Sequence, residues 1–301
     1  FNGSFRRDGS SAFSYTGNQW QNFYSIGAGW LMSEEEFMKD ITWLDMLKLK
    51  GSWGTLGNQN LDKAYPAEPL LTNAYSAVFG KPSIIYPGYQ LAYLPNPNLR
   101  WEKVEAWEAG FETNLLRNRL HFEGVYYKKN TKDLLAEVPG ISGTIPGIGN
   151  LGEIQNKGVE MAVTWRDQIG DWGYSVSANL TTIKNEVKSL VQEGYSIIAG
   201  DKQQSYTMAG YPIGYFYGYK VAGVYQSQAD IDASPKNTLA TVTPGDLKFA
   251  DVNGDGEITP EDRTMIGNPT PKVTYGFSLG VDYKNWSLGI DMMGQGGNKI
   301  F

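Results

Sequence analysis

Three short oxygen-bearing side chains stand at alternate positions near the C-terminal end of the chain. Asp251, Asn253 and Asp255 occupy positions one, three and five of a twelve-residue pattern that is typical of calcium-binding loops. Calcium prefers a cage of oxygen atoms, and side chains at every second residue of a tight loop converge on one point. Gly256, at position six, permits the sharp turn that such a loop requires. The spacing therefore predicts a calcium site in this segment.

The second half of the loop supplies the remaining predicted ligands. Glu257, at position seven, would offer its backbone carbonyl, and Asp262, at position twelve, would close the cage. The usual residue at position twelve is a bidentate glutamate, so the shorter Asp262 resembles the dockerin form of the loop and is expected to lower the affinity. The alternative is an acidic surface loop that is held by Asx turns and needs no metal.

Five aromatic rings fall within nine residues a short distance upstream of this loop. They are Tyr211, Tyr215, Phe216, Tyr217 and Tyr219. Such a group of rings is expected either to stack on the sugar rings of a cargo or to contact a partner protein. Packing among neighbouring strands is an equally weighted alternative, because aromatic residues are frequent in β-proteins.

The sequence does not predict an enzyme active site. Gly147, Gly149 and Gly152 spell the dinucleotide-binding pattern, but they follow Pro146 and lead into alternating sequence rather than a helix, so we reject that function. The chain has no cysteine, a single histidine, His121, and no nucleophile elbow or zinc-protease motif. We therefore predict that the chain is not an enzyme.

Composition excludes two further classes of protein. The formal net charge of −6 and the pI near 5.0 argue against nucleic-acid binding, because a phosphate-binding surface needs clustered lysine and arginine. Uninterrupted apolar runs are far shorter than the ~18 residues of a membrane-spanning helix, which excludes a helical membrane protein. The 36 Gly, 19 Tyr and 9 Trp are typical of β-proteins with tight turns and interfacial rings.

The elements that position these motifs are predicted to be β-strands. From Trp172 to Leu180, aromatic or aliphatic residues at even positions alternate with Gly, Ser and Asn, the mark of a strand with one apolar face. The opposite, polar faces of other strands carry Glu108, Glu112 and Glu123, which suit a wide, wet lumen. Other alternating segments are 23–32, 44–53, 99–115, 120–127, 159–165, 273–283 and 286–292. We predict about nine strands of ~10 residues, the length that crosses a bilayer at a tilt.

The lengths of the predicted connections favour a membrane barrel over a soluble sandwich. Short turns lie at 115–119, 166–171 and 283–286, whereas long links lie at 57–98, 131–155 and 185–272. Outer-membrane barrels combine tight periplasmic turns with long extracellular loops. The segment 33–45, in which Ser33 precedes three glutamates, is predicted to form a short capped helix on the periplasmic side.

Aromatic residues flank two of the short turns. Trp165 and Trp172 flank one turn, and Tyr283 and Trp286 flank another, as an aromatic ring at the periplasmic lipid boundary requires. The alternative is aromatic packing across a hairpin. We therefore predict an all-β fold, a transmembrane antiparallel β-barrel that is partial, with long extracellular loops and short periplasmic turns. The region 185–272 is predicted to be one long extracellular loop region that contains the calcium-loop-like motif and does not cross the membrane.

Several blocks of the sequence, taken in order, resemble the SusC/RagA family of TonB-dependent transporters. The blocks are 5–11, 27–37, 47–59, 101–102, 152–160, 212–219, 245–249, the Asp-rich loop and 266–277. The resemblance implies an outer-membrane barrel of about 22 strands in a Gram-negative bacterium, with an N-terminal plug that couples to the TonB complex. Residues 1–301 are then expected to be part of one such barrel domain, with the plug and both ends of the barrel missing.

The resemblance also implies a function and its partners. The expected function is TonB-dependent import of oligomeric nutrients, with glycans favoured over peptides, together with a SusD-like surface lipoprotein. Outer-membrane lipid, the TonB complex and an oligosaccharide or peptide cargo are the other expected partners, and nucleic acid is not expected. The alternative is a calcium-stabilised surface adhesin or glycan-binding β-protein without transport.

Overall fold

The computed structural model of the chain describes residues 1–61, 63–138, 146–191, 194–201 and 203–300. Small parts of the links predicted at 57–98, 131–155 and 185–272 lie outside these residues. No helix in the described part of the chain is long and apolar enough to span a membrane.

The described residues form strands joined by short helical turns. In chain order the strands are β1 (Asn2–Gly9), β2 (Trp20–Leu31), β3 (Leu44–Asn58), β4 (Leu71–Phe79), β5 (Ile84–Leu91), β6 (Glu102–Leu115), β7 (Leu120–Lys132), β8 (Leu135–Val138), β9 (Gly147–Asn150), β10 (Gly152–Ile169), β11 (Trp172–Thr182), β12 (Lys184–Leu190), β13 (Ser196–Ala199), β14 (Ser205–Met208), β15 (Tyr215–Tyr219), β16 (Val221–Val224), β17 (Lys236–Asn237), β18 (Leu247–Phe249), β19 (Glu257–Ile258), β20 (Arg263–Gly267), β21 (Val273–Tyr283) and β22 (Trp286–Gly296). One α-helix, α1, covers Gln228–Asp232, and 3₁₀ turns cover Ser11–Phe13, Met32–Glu34, Glu36–Met38 and Pro260–Asp262.

The main sheet is an antiparallel meander. Its hydrogen-bonded path is β1-β2-β3-β6-β7-β10-β11-β21-β22, and β12 pairs with β10 beside this path. The path has nine strands, in agreement with the predicted number of about nine. Eight of them contain the predicted alternating segments, and β1 was not among those segments. Several strands are longer than predicted: β3 continues to Asn58, and β7 continues to Lys132.

The register divides the main sheet into an apolar face and a polar face. Residues that pair across strands point to the same side, as Trp53 and Trp107 do. The apolar face carries Ile26, Trp53, Trp107, Tyr126, Met161, Val163, Val176, Leu180, Tyr275, Phe277, Leu279 and Ile290. The polar face carries Lys48, Lys50, Ser52, Glu108, Glu112, Glu123, Glu160, Ser177 and Asn179.

The polar face is the concave one. A groove of about 860 Å³ runs along it, with Lys50, Glu108 and Glu160 among the lining residues. A second groove of about 730 Å³ is lined mostly by residues of the same face in β11, β21 and β22. The apolar face is therefore the convex outside of a curved wall, the reverse of a soluble β-domain that folds around an apolar interior.

The height of the apolar face matches a bilayer. The alternating stretch Val273–Tyr283 comprises ten residue steps. At about 3.3 Å a step it is roughly 33 Å long, and a strand tilt of about 40° reduces its height to roughly 25 Å, the apolar band of outer-membrane barrels.

Short and long connections lie at opposite ends of this wall. The connections at 116–119, 170–171 and 284–285 share one end, the short-turn end, with the link at 32–43. The predicted capped helix in that link is wrong: two 3₁₀ turns stand there, and Leu31 rather than Ser33 is the N-cap. Glu35 is extended between the two turns, and its Oε1 accepts a hydrogen bond from Trp30 Nε1 at 2.8 Å. This contact holds the link against β2, so no continuous helix forms.

The links at the other end, the long-connection end, pack together in one apolar cluster. We call it the cap cluster, and its members are Phe13, Phe23, Ala67, Leu99, Trp101 and Ile148. In β2 the even-numbered residues Tyr24 and Ile26 point to the apolar face. Phe23 is odd-numbered, so its side chain points to the polar face. The cap cluster therefore lies on the polar side of the wall, where three separate links meet.

The link between β11 and β21 folds into small sheets. The sheet β13-β14-β15-β20 and the pairs β16-β18 and β17-β19 lie off the main path, while β11 pairs directly with β21. This is the topology that zero membrane crossings require. Val187 of β12 exchanges backbone hydrogen bonds of 2.8 Å with Gly210 and Tyr211, which fixes the first of these small sheets to β12.

Candidate functional site

The predicted calcium loop is folded by its own side chains. Asp251 accepts backbone N–H groups from Gly254 at 2.6 Å and from Gly256 at 2.8 Å. Asn253 Oδ1 accepts the Asp255 N–H at 3.0 Å, and Asp255 Oδ1 accepts the Glu257 N–H at 2.8 Å. These are Asx turns, which let short polar side chains hold a tight loop.

Asp262 joins the two ends of the loop. Its carboxylate is fully buried and accepts N–H groups from Val252 and Thr259, each at 2.8 Å, and from Asn253 at 3.4 Å. The bond from the Thr259 N–H, with those from Val252 and Asn253, lowers the pKa of Asp262 below its ordinary value, against the opposite effect of burial. The residue at position twelve therefore also caps the 3₁₀ turn Pro260–Asp262.

The five predicted ligands lie in one loop, but their carboxylates do not converge in this conformation. Among the described residues, no three His, Cys, Asp or Glu side chains are close enough to hold a metal ion. Asp255 Oδ2 instead accepts a hydrogen bond from Asn253 Nδ2 at 2.9 Å. Calcium binding through Asp251, Asn253 and Asp255 stays a prediction.

The predicted aromatic cluster is largely an internal packing unit. Tyr211 and Tyr215 stack with ring centroids 4.9 Å apart, and Tyr217 lies 6.2 Å from Tyr215. Tyr219 contacts Phe249 at 5.2 Å, and Phe216 pairs with Gly267 of β20. Of these five residues only Tyr211 is exposed, with 39% of its surface accessible to solvent. Of the five residues, Tyr211 is therefore the most exposed, and contact of these rings with a cargo or a partner stays a prediction.

Two residues that the sequence did not single out complete this cluster. Tyr206 packs on Tyr217 at 4.2 Å, and the Arg263 guanidinium lies 4.8 Å from the Tyr217 ring centroid and 5.7 Å from that of Tyr206. A guanidinium over aromatic faces is an attractive cation–π contact. Arg263 begins β20, far from Tyr206 in sequence, so only the strand pairing brings them together.

The hydroxyl of Tyr215 reports on this packing. Burial, followed by the neighbouring Tyr211, Tyr217 and Tyr206, raises the pKa of Tyr215 from 10.0 to about 12. Because the folded-state pKa lies above the unfolded value, the packing is expected to be stable below pH 10.0 and to weaken as the pH rises toward about 12. In the full-length receptor, the tyrosinate absorbance curve of wild type minus Tyr215→Phe should give one group that titrates near pH 12. A midpoint near 10.0 would show that Tyr215 is open to solvent.

The rejected dinucleotide motif has a structural role. Gly147 and Gly149 belong to β9, which pairs with β8, and a Cβ on Gly147 would lie 2.1 Å from the Leu94 carbonyl oxygen. Gly152 has a φ of +147°, and a Cβ there would lie 2.0 Å from the Ser189 carbonyl oxygen. Close approach of two backbone segments therefore accounts for Gly147 and for Gly152, and no helix follows the motif.

Glu102 also makes buried contacts that the sequence alone did not predict. Its Oε1 accepts Asn58 Nδ2 at 3.1 Å, and its Oε2 accepts the Leu135 N–H at 3.0 Å. Glu102 is buried, so these bonds compensate for the loss of water around its carboxylate. The residue ties β3, β6 and the link that begins after β7. An acid directly after Trp101 was the available signal, but its partners are distant in sequence.

The aromatic residues at the short-turn end form a row on the apolar face. Trp172 pairs with Tyr283, and Tyr283 pairs with Trp286, on three neighbouring strands. Trp172 and Tyr283 stack at 4.3 Å, and Trp286 is 79% exposed. The stacked pair joins β11 and β21, which are distant in sequence, and so is not packing within one hairpin. Such a row suits the boundary between lipid and water.

The fold therefore defines a class of protein. A long antiparallel meander with a convex apolar face, a concave polar face, an aromatic row and long links at one end is the wall of an outer-membrane β-barrel. Its family follows from comparison with known proteins. The family described as "TonB dependent receptor-like, beta-barrel" matches residues 1–299, and the chain belongs to this family.

Individual relatives agree with this assignment. TonB-dependent receptor P3 of Formosa agariphila is 33% identical over 98% of this chain, and TonB-dependent receptor SusC of Bacteroides thetaiotaomicron is 30% identical over 100% of it. The structure of the RagAB peptide importer in the "closed-closed" state superposes with a TM-score of 0.78 and 27% identity over 98% of this chain. The resemblance to SusC/RagA proteins is confirmed.

The chain spans only part of these relatives. It covers 30% of the length of receptor P3 and of SusC, and 31% of the RagAB importer chain. The family comprises outer-membrane β-barrel receptors and transporters of Gram-negative bacteria. The predicted partial barrel, its location in the outer membrane and the prediction that it is not an enzyme are therefore confirmed.

Proposed function

We propose that the chain is part of the wall of a TonB-dependent importer of oligomeric nutrients. The observation that carries this proposal is the division of the wall into a convex apolar face and a concave polar face with charges of both signs. Lipid covers the first face, and a hydrated passage that a plug occupies and a cargo crosses lies along the second. The long links at one end face the outside, where a cargo arrives.

A SusD-like surface lipoprotein is the proposed partner at the outer mouth. Support comes from the relatives, since SusC and the RagAB importer match nearly the whole chain. The RagAB structures include an "open-open" and a "closed-closed" state, which describes opening and closing of that importer. For the receptor that contains this chain, we propose that the lipoprotein and the barrel open and close in the same way. The TonB complex would act on the barrel through a plug domain.

Glycans are the first proposed cargo and peptides the second. The exposed ring of Tyr211, stacked on the buried Tyr215, offers an aromatic face of the kind on which sugar rings stack. Peptide cargo is supported by the description of RagAB as a peptide transporter. Both are oligomers that are too large for passive diffusion through a narrow pore.

The test is uptake by cells that carry or lack the full-length receptor. Cells are supplied with fluorescent oligosaccharides and, separately, with fluorescent oligopeptides, and uptake is measured with and without the proton-motive force. Import that needs both the receptor and the proton-motive force supports the proposal, and the cargo that enters identifies its class. Surface binding without import of either cargo would assign the protein to the adhesin class instead.

We also propose that the loop from Asp251 to Asp262 binds calcium. Its pattern of oxygen-bearing residues supports this, and its Asx turns already bring Asp251, Asn253 and Asp255 into one loop. Because the carboxylates must exchange hydrogen bonds for the ion, and Asp262 is short, we expect weak binding, with a Kd of about 10⁻⁴–10⁻³ M as in extracellular modules.

Calorimetry of the chelator-treated full-length receptor tests the calcium proposal. Wild type should take up one calcium ion in this loop, and Asp255→Ala should abolish that uptake, because it removes a ligand at the centre of the pattern. Glu261→Ala is the matched control, since it removes the same charge from an exposed position that is not a predicted ligand. Equal heats for wild type and Asp255→Ala would contradict calcium binding here.

A further inference from the structure

Three lysines stand side by side on the outside of the wall. Lys157 of β10 pairs directly with Lys128 of β7 on one side and with Lys184 of β12 on the other. Residues that pair across strands point to the same side, with their Cβ atoms about 5 Å apart. Like charges in such positions repel each other and destabilise a sheet. We call these three residues the lysine row, and a negative charge placed over it would relieve the repulsion.

The lysine row belongs to the apolar, convex face of the wall. Lys128 pairs on its other side with Trp107, which lies on that face. Lys128 and Lys157 stand two residues beyond Tyr126 and Val159, which pair with each other at the end of the apolar band. The lysines lie on the side of this pair that leads to the long-connection end. The row is therefore at the level of the lipid headgroups, where the hydrocarbon ends.

The position of the lysine row in the barrel directs it toward lipid rather than toward the rest of the receptor. β7 and β10 lie in the middle of the hydrogen-bonded path, so the further strands of a closed barrel join at its edges, β1 and β22. A plug fills the lumen of a large barrel, which is on the concave side of this wall. The convex side of the middle strands is left to the membrane, and lipid headgroups are the neighbours of these lysines.

Nearby carboxylates do not neutralise the lysine row. Glu105 is engaged by Lys132, with the two charged groups 3.1 Å apart. Glu186 lies 3.8 Å from Lys184 and is shared with Lys188. In the part of the chain that the structure describes, the other two members of the row form no ion pair. The row therefore keeps a net positive charge, although the chain as a whole carries −6.

A different row of residues stands toward the short-turn end of the same face. Across four neighbouring strands the register places there Leu115, Leu120, Trp165 and Val176. Lysines that only anchored the barrel by reaching from the wall into water would suit both boundaries of the membrane. The two leaflets of an outer membrane differ in their lipids, and the outer one holds a phosphorylated glycolipid, lipopolysaccharide. A row of lysines at the outer end alone is complementary to that lipid.

We propose that the lysine row binds a phosphate group of lipopolysaccharide. Lysine binds phosphate as a point charge, and strands about 4.8 Å apart place three lysines within reach of one phosphate. A phosphate monoester, as in this glycolipid, carries about −1.5 to −2 charges at pH 7 and so offsets the repulsion within the row. Trp107, 55% exposed, offers an apolar surface beside the row for an acyl chain. The inference rests on the proposed function only in that the long links face the outside.

Lipid binding to the full-length receptor tests this proposal. Receptor that has been depleted of lipid in detergent is titrated with lipid A, with lipid A whose phosphates have been removed, and with phosphatidylglycerol. Bound lipid is counted by native mass spectrometry. We expect lipid A to bind at least about tenfold more tightly than the other two lipids, because only its phosphate monoester brings close to two negative charges to the row.

Substitutions on the two faces of the wall locate the site. The double variant Lys128→Gln with Lys157→Gln removes the two lysines that form no ion pair, and should weaken lipid A binding by about thirtyfold, as expected for two lysines near an anionic lipid surface. Lys48→Gln with Lys129→Gln is the matched control, since it removes the same charge from the polar face and should leave the affinity unchanged. Gel mobility before and after heating verifies that each barrel is folded.

Thermal unfolding separates a lipid site from a merely structural row. Without lipid, the row variant should unfold at the same temperature as wild type or at a higher one, because it removes repulsion between paired lysines. Added lipid A should raise the unfolding temperature of wild type and of the polar-face control, since a ligand that binds the folded state stabilises it. The row variant should show a much smaller rise.

Three results would overturn the inference. Equal binding of lipid A with and without its phosphates would show that the row does not recognise phosphate. Equal binding of phosphatidylglycerol would reduce the row to a general contact with anionic lipid. Equal affinity of the row variant and the polar-face control would place the lipid elsewhere. The uptake experiment tests the proposed function separately, so a receptor that imports nothing but binds lipid A through the row would lose that function and keep this inference.

Discussion

Trp101→Ala is expected to loosen all three links that meet in the cap cluster. The Trp101 side chain is buried, stacks on Phe13 at 5.2 Å, meets the edge of Phe23 at 6.0 Å, and donates from Nε1 to the Asn18 carbonyl oxygen at 2.9 Å. Truncation of a buried tryptophan typically costs about 3–5 kcal/mol, through lost contacts and the cavity that remains.

Limited proteolysis of the full-length receptor in its membrane measures this effect. If local opening limits cleavage, a cost of about 3–5 kcal/mol corresponds to roughly two to four powers of ten in the cleavage rate of the links. Trp101→Phe is the matched control, because it keeps a ring but loses the hydrogen bond to Asn18, and should show a much smaller change. Barrel mobility on gels should be unchanged in both variants. Cleavage at the wild-type rate in Trp101→Ala would mean that the cluster does not hold the links.

Leu279→Arg is expected to destabilise the barrel by about 2–4 kcal/mol, the cost of an arginine on the lipid face near the bilayer midplane. Leu279 lies near the middle of β21 and pairs with Val176 and Ile290 on the apolar face. The charged head would have to remain in hydrocarbon or draw water and lipid headgroups toward it. Denaturant titration of the full-length receptor in lipid vesicles measures the loss.

Ser278→Arg provides the matched control on the neighbouring residue. Ser278 pairs with Ser177 and Asp291 on the polar face, so an arginine there remains hydrated and near an acid. We expect a change of less than about 1 kcal/mol, typical of substitutions at hydrated positions. If Ser278→Arg were the more unstable variant, the assignment of the faces to lipid and water would be reversed. Equal losses in the two variants would contradict a division of the wall into a lipid face and a water face.

The local pattern of the sequence was sufficient to define the wall. Alternation along Val273–Tyr283 and Trp172–Leu180 specified which side of each strand is apolar, and the lengths of the connections specified which turns share an end. Both properties depend on neighbours within a few residues, so they can be read without knowing the rest of the fold. The calcium pattern was also visible locally, since its five residues lie in one loop.

Side-chain packing between distant links could not be read in the same way. Alternation extended the predicted strand back to Leu99, but β6 begins at Glu102, because Leu99 and Trp101 pack against Phe13 and Phe23 instead. The hairpin β4-β5 was likewise hidden inside a link that was predicted only as long. The position of Tyr215 in the sequence likewise did not show whether its ring would be buried or would contact a cargo.

The sequence by itself thus determined the class of the protein, a β-barrel wall with lipid on one side and water on the other, because period-two alternation fixes the face of every residue in a strand. Only the tertiary structure decided which side chains meet at the outer end. Asp262 bonds its own loop, Glu102 joins three segments, and Arg263 stacks on tyrosines from other strands. These contacts depend on distances between segments that are far apart in the chain, and those distances exist only once the strands have paired.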